Sequence, residues 1–144
     1  MATNLTRADT LTSSNSKKLE FFSDFLNSFA KTPYGNQLGK LTDEKAVNQA
    51  LKNLIMTNFG ERLFQPFVGS NVYDYMFEPN LKQYLTSLES YIENTIKLNE
   101  PRVNAQEITV SEGIDDHSIQ IKIVYNLINN LAPITLDFLL KRVR

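Results

Sequence analysis

Paired carboxyl groups are the chemistry this chain could most readily attempt, since Glu61, Glu78 and Glu100 stand among 16 Asp and Glu residues. A glycosidase needs one acid kept protonated and a second carboxylate, roughly 5 to 9.5 Å apart across a sugar-binding cleft. Any chain this rich in acids offers such pairs, and this one lacks Trp and a Gly-rich cleft segment. His117, the only histidine, falls beside Asp115 and Asp116 in an expected hairpin turn. Two adjacent aspartates and one imidazole lack the further ligands and fixed scaffold of a zinc or calcium site. Turn chemistry accounts for them. Without Cys, and with no Ser in a Gly-x-Ser-x-Gly elbow, nucleophilic catalysis has no candidate either. The residues predict no enzyme, no metal and no cofactor.

Charge narrows the partners. Lys and Arg number 15 against the 16 acids, so no excess draws the chain to nucleic acid or to an anionic membrane. The N-terminal stretch MATNLTRADTLTSSNSKK is polar and lacks the apolar run of a secretion signal. No window approaches the roughly 20 apolar residues that cross a bilayer. The expectation is a soluble protein, or part of a soluble assembly, indifferent to redox compartment and able to assemble in a cytoplasm. A length of 144 residues suits one domain. Residues 1–17 read as a flexible arm, with only Leu5 and Leu11 to bury, and residues 18–144 as the domain.

Periodicity supplies the elements that must position any site. From Leu19 to Phe29 the apolar residues fit a helical period, yet Phe21 and the run Phe22-Ser23-Asp24-Phe25 suit an extended segment equally well. Pro33, Gly35 and Gly39 mark a loop. A helix opens at Thr42 as N-cap, with Asp43 and Glu44 in its first turn, and buries Val47, Ala50, Leu51, Leu54 and Ile55. Gly60 falls just beyond its end. Asn71 caps a short helical turn carrying Tyr73 and Phe77. A longer helix from about Asn80 presents Leu81, Tyr84, Leu85, Leu88, Tyr91, Ile92 and Ile96 and stops before Pro101. The period then changes to two. Ile108 and Val110, then Ile119, Ile121, Ile123 and Tyr125, then Ile134, Leu136, Phe138 and Leu140 mark three strands. Gly113-Ile114-Asp115-Asp116 and Asn129-Asn130 are the turns between them. The fold class is α+β, two main helices packed on a small C-terminal antiparallel β-meander.

Three motifs stand out in order: Gly60-Glu61-Arg62, then Pro66 and Gly69 leading to Phe77-Glu78, then Glu100-Pro101-Arg102 between the long helix and the first strand. Each has a plain reading, as a helix stop with a charged turn or as a proline after a helix. Together they resemble the baseplate wedge family of contractile tails, the gene 25 product type, over roughly residues 43 to 140. The resemblance implies an extended segment at Phe22-Ser23-Asp24-Phe25, a conformational turn at Gly60, Glu61, Arg62, Pro66 and Gly69, and docking onto the wedge core through Glu100, Pro101 and Arg102. Arg102 would fork onto a carboxylate or helix-end carbonyls of a partner, so Arg102→Ala should weaken wedge binding and leave the fold intact.

The same resemblance makes the last strand, with Ile134, Leu136, Phe138, Leu139, Leu140 and Val143, sheath-facing and similar to the handshake region of the sheath subunit. It implies a structural subunit of the virion's tail baseplate that initiates sheath polymerisation by β-augmentation. The partners implied are the tail sheath protein, other wedge proteins and the neighbouring tail tube. Three strands leave two edges in any case, and Leu139 with Val143 is unexplained by the core. The bland alternative is an ordinary edge protected by Lys141, Arg142 and Arg144. Two further readings stand beside this one: the lysozyme-like hydrolase by which the family has been labelled, and the equivalent wedge component of a bacterial secretion or injection machine.

Overall fold

A computed structural model describes residues 21–33, 35, 37–77, 81–113 and 118–141, with the side chains of residues 81 and 82 excepted. The expected arm, Glu78, the turn around His117, and Val143 with Arg142 and Arg144 lie outside the described residues. The order is β1 (Ser23–Phe25), β2 (Lys40–Thr42), α1 (Glu44–Met56), α2 (Val72–Met76), α3 (Leu81–Asn99), β3 (Val103–Glu112), β4 (Ser118–Leu127) and β5 (Asn130–Lys141). The α+β reading and the C-terminal meander, in the order β3-β4-β5, hold.

The segment that fitted two periods is extended, and it is held there by a partner strand that the sequence did not announce. β1 pairs antiparallel with β2, Ser23 opposite Thr42 and Phe25 opposite Lys40. This pairing displaces the expected helix start. Thr42 belongs to β2, the N-cap is Asp43, and its carboxylate turns away from the helix to accept the N–H groups of Phe21 at 3.0 Å and Phe22 at 3.4 Å. Asp43 adopts φ 48° to do so. Two backbone donors at the edge of the small sheet outcompete a single helix-end donor.

α1 buries Val47, Leu51 and Ile55 completely, with Ala46, as the 3.6 period requires. Its far face is used as well. The Gln49 amide nitrogen donates to Phe25 O at 2.7 Å, its oxygen accepts Asn27 N–H at 3.1 Å, and the side-chain amides of Asn27 and Asn53 pair at 2.8 Å. The helix ends because Thr57 is extended, not because of Gly60, which lies inside the following loop. In α2 the buried residues are Val72 and Met76, while Tyr75 reaches α3 and packs on Tyr84 and Tyr91 with ring centroids 5.6 and 5.8 Å apart. Leu88, Ile92 and Ile96 of α3 are fully buried against Ile119, Ile121, Ile123 and Tyr125 of β4, the middle strand. The β4–β5 turn is Ile128-Asn129, one residue earlier than expected, because Leu127 pairs with Asn130 and Ile128 N–H is held by Arg102 O at 3.1 Å.

Tyr125 ties the sheet to α1, its hydroxyl donating to Asn48 Oδ1 at 2.7 Å. Burial, helped by the charges of Glu44 and Glu100, pushes its pKa up to about 12. An unfolded tyrosine ionises near 10, so between roughly pH 10 and 12 the unfolded chain sheds a proton that the native state keeps. Stability must therefore fall as pH rises through that window, by ~2.7 kcal/mol for two units. In urea titrations at about pH 9 and pH 11.5, Tyr125→Phe should lose that part of the alkaline decline, at a constant cost of about 1 kcal/mol for the hydrogen bond. A variant that declines as steeply as the parent chain would overturn the assignment.

Candidate functional site

Glu100-Pro101-Arg102 is a β-turn. Glu100 N–H closes α3 on Ile96 O at 2.8 Å, and Val103 N–H returns to Glu100 O at 3.2 Å, with Pro101 at the position whose φ it presets. The Arg102 guanidinium forks back onto its own chain, Nε to Glu100 Oε1 and Nη2 to Glu100 Oε2, both at 2.6 Å. Its other face covers the Phe22 ring at 5.5 Å. The bond to Glu100 holds the Arg102 proton more tightly than usual, against partial burial and aided by the charges of Glu100 and Asp24. Glu100 is buried while the Arg102 side chain is 35 % exposed. The fork expected for a partner is thus filled internally, and what the motif presents outward is the rim of the guanidinium and Pro101.

Gly60-Glu61-Arg62 and Pro66 to Gly69 form one closed loop over residues 57–70, of the Ω type. Ser70 N–H meets Thr57 O at 2.7 Å, Gly60 N–H meets Pro66 O at 2.9 Å, and Glu61 Oε2 accepts Asn58 N–H at 2.9 Å. Buried Ser70 pins the neck through Oγ to Ile55 O at 2.5 Å. Gly69, at φ 144°, has no room for a Cβ, which would stand 2.6 Å from Thr57 O.

These motifs, some forty residues apart in sequence, meet around one groove of about 620 Å³. Ala50 and Leu54 of α1 form part of its wall, which is why they are only half-buried although they fit the helix's apolar face. Arg62 and Val68 of the loop, Leu98 at the end of α3, Glu100, Arg102 and Asp24 of β1 complete it. Leu98 is 83 % exposed, and Arg62 has no ion pair among the described residues. With Asn53, Thr57, Gln65 and Asn99 also on its wall, the groove offers a mostly polar lining, an apolar strip of Ala50, Leu54, Val68 and Leu98, and a cation, Arg62, with no ion pair among the described residues. Asp24 and Phe22 were not singled out as site residues. The polar pair Gln49 and Asn53, one turn apart on α1, was the available signal that a segment crosses that face.

The last strand has a definite open edge. Gly113 N–H donates to Ser118 O at 2.8 Å and Ile128 N–H to Arg102 O. In an antiparallel ladder the two main-chain groups of a residue point to one neighbour and those of the next residue to the other. Ser118, Gln120 and Lys122 therefore bond β3, while Ile119, Ile121, Ile123 and Tyr125 bond Leu140, Phe138, Leu136 and Ile134 of β5. The main-chain groups of Thr135, Asp137 and Leu139 are left facing outward, and no hydrogen bond among the described residues meets them. Pro133, of the same parity and inside the irregular stretch between Asn130 and Ile134, lacks a donor only where none is needed.

β3 is different. The same parity puts Val110 N–H on its outer edge, and Glu89 Oε1 of α3 takes it at 2.9 Å, while a bulge between Ala105 and Glu107 breaks the register. Of the strand residues singled out, Phe138 and Leu140 are buried and Ile134 and Leu136 half-buried in the chain's own core, so Leu139 is the one described member whose side chain points away from it.

Residues 41–131 match the family described as baseplate wedge protein gp25. The baseplate wedge protein gp25 of Enterobacteria phage T4 is 24% identical over 100 residues, 69% of this chain and 76% of that protein. Among solved structures, the anti-feeding prophage baseplate matches with a TM-score of 0.63 at 23% identity, covering 74% of this chain and 85% of the matched one. A Geobacter sulfurreducens protein described as a "putative tail lysozyme" matches with a TM-score of 0.62 at 20% identity, covering 70% of this chain and 92% of that one.

Proposed function

This chain belongs to the baseplate wedge protein gp25 family, structural proteins of contractile-tail baseplates, and from that premise we propose that it is the wedge subunit on which the tail sheath begins. The groove between Arg62 and Arg102 docks it on other wedge proteins beside the tail tube, in the baseplate of a particle assembled in the host cytoplasm. The outward edge of β5 receives the first sheath subunits by strand addition. One observation carries this reading: α3 covers an edge donor of β3 through Glu89, whereas β5 keeps three consecutive outward residues without a main-chain partner among the described residues. A solitary domain gains nothing by protecting one edge of a three-stranded sheet and leaving the other as a template.

Wedge proteins of injection machines do the same physical work, and the likeness to the anti-feeding prophage baseplate supports that setting as well as a phage tail. The hydrolase reading has less support. Both Glu100 oxygens are engaged by Arg102, and Glu61, exposed on the loop, accepts Asn58 N–H, so neither is held protonated as a general acid requires. Mixing the purified chain with its cognate sheath subunit and imaging the products by electron microscopy tests the proposal. Sheath should grow from this chain in ordered form; sheath that assembles equally well without it refutes the initiator role.

A further inference from the structure

The loop that walls the groove also carries three of the four most exposed large apolar side chains of the described structure: Leu63 at 85 %, Phe64 at 100 % and Phe67 at 87 %. They are not there because the loop is slack. Its neck is closed by the Thr57–Ser70 and Gly60–Pro66 bonds, and Gly69 admits no side chain. Phe64 itself has φ 67°, a left-handed conformation that a phenylalanine adopts only at a cost. The chain thus holds a strained residue, with no contact of its ring to compensate, at the crest of a braced loop.

We propose that this crest is an aromatic plug that inserts into an apolar pocket of the same wedge partner that occupies the groove, and that it supplies the main anchor of that interface. The proposal rests on the wedge-docking reading and adds the anchor and the chemistry of its receptor. Three side chains bury roughly 450–650 Å², short of the roughly 800 Å² per partner of a stable complex, so the crest alone does not sustain a dimer of this chain. Continuity with the groove supplies the remaining area, because Arg62 sits between the crest and the groove wall. Arg62 also defines the rim of the receptor, an apolar pocket edged by a carboxylate. A membrane is disfavoured, since Glu61 and Arg62 just before the crest carry one charge of each sign. Rigid aromatic anchors beside a polar rim are where binding energy concentrates.

Phe64→Asn separates binding from folding, because asparagine tolerates the left-handed conformation and the lost ring buries nothing. Its thermal midpoint should equal or exceed that of the parent chain, while affinity for the purified wedge heterocomplex of the same particle, assembled without this chain, should fall roughly tenfold or more. Leu98→Glu serves as the groove control. If Leu98→Glu weakens binding and Phe64→Asn does not, the groove reading stands and the plug falls. If neither changes binding, both fall. Crest-dependent binding to anionic phospholipid vesicles but not to the wedge complex, or a parent dimer that Phe64→Asn dissolves, would reassign the crest and overturn the proposal.

Discussion

Arg102→Ala lowers the stability of the isolated chain by about 2–3 kcal/mol, somewhat below the roughly 3–5 kcal/mol that breaking a fully buried ion pair costs, because the guanidinium is one-third exposed. The reason is what it leaves behind. Glu100 is 7% exposed, and both its oxygens spend their hydrogen-bonding capacity on Arg102. Truncating the arginine strands a desolvated carboxylate at the end of α3 and uncovers Phe22. Arg102→Lys keeps the charge but not the fork and should recover only part of the loss. The pair should couple strongly in a double-mutant cycle with Glu100→Gln, where removing both partners costs less than removing the arginine alone. Urea unfolding measures all five proteins. A change within about 0.5 kcal/mol for Arg102→Ala would reduce the pair to a solvated surface contact. The sequence points to the opposite result, an intact fold with lost docking, because it does not reveal that the fork's partner is two residues away.

What could be read from the chain follows the range of the forces concerned. Helices α1 and α3 and strands β3 to β5 were legible because their burial repeats within one element, as with Val47, Leu51 and Ile55 or Ile119, Ile121 and Ile123. β2 was not, since its three residues Lys40–Thr42 carry no alternation long enough to see and exist as a strand only by pairing with β1. The same long-range pairing took the Asp43 carboxylate from the helix and moved the N-cap. The site divides in the same way. Glu100-Pro101-Arg102 and the Gly60 to Gly69 loop were visible as motifs, but nothing local says that they share a groove with Asp24 or that Phe64 is held bare on the same loop. Edge protection by Glu89 is equally invisible, because it joins residues that only the packing of α3 on β3 brings together.

Leu139→Pro should leave the chain folded and stop it from seeding sheath. Deleting the strand after Pro133 would not test the edge, because it removes Phe138 and Leu140 from the core and Ile134 and Leu136 from its flank. Proline at residue 139 deletes one outward N–H and fills its place with a ring, while the bonds to β4 run through Phe138 and Leu140. A lost main-chain hydrogen bond with its acceptor left unpaired costs about 1–3 kcal/mol, on the order of tenfold or more in affinity for each strand added. Leu139→Thr is the companion variant. It removes the same exposed side chain but keeps the donor and a strand-forming residue, so it should seed nearly as well as the parent chain. If both variants fail to seed, the side chain rather than the edge is what the sheath reads. If both seed normally, the open edge of β5 is not the template, and the outer face of the sheet around Gln120 and Lys122 becomes the surface to test next.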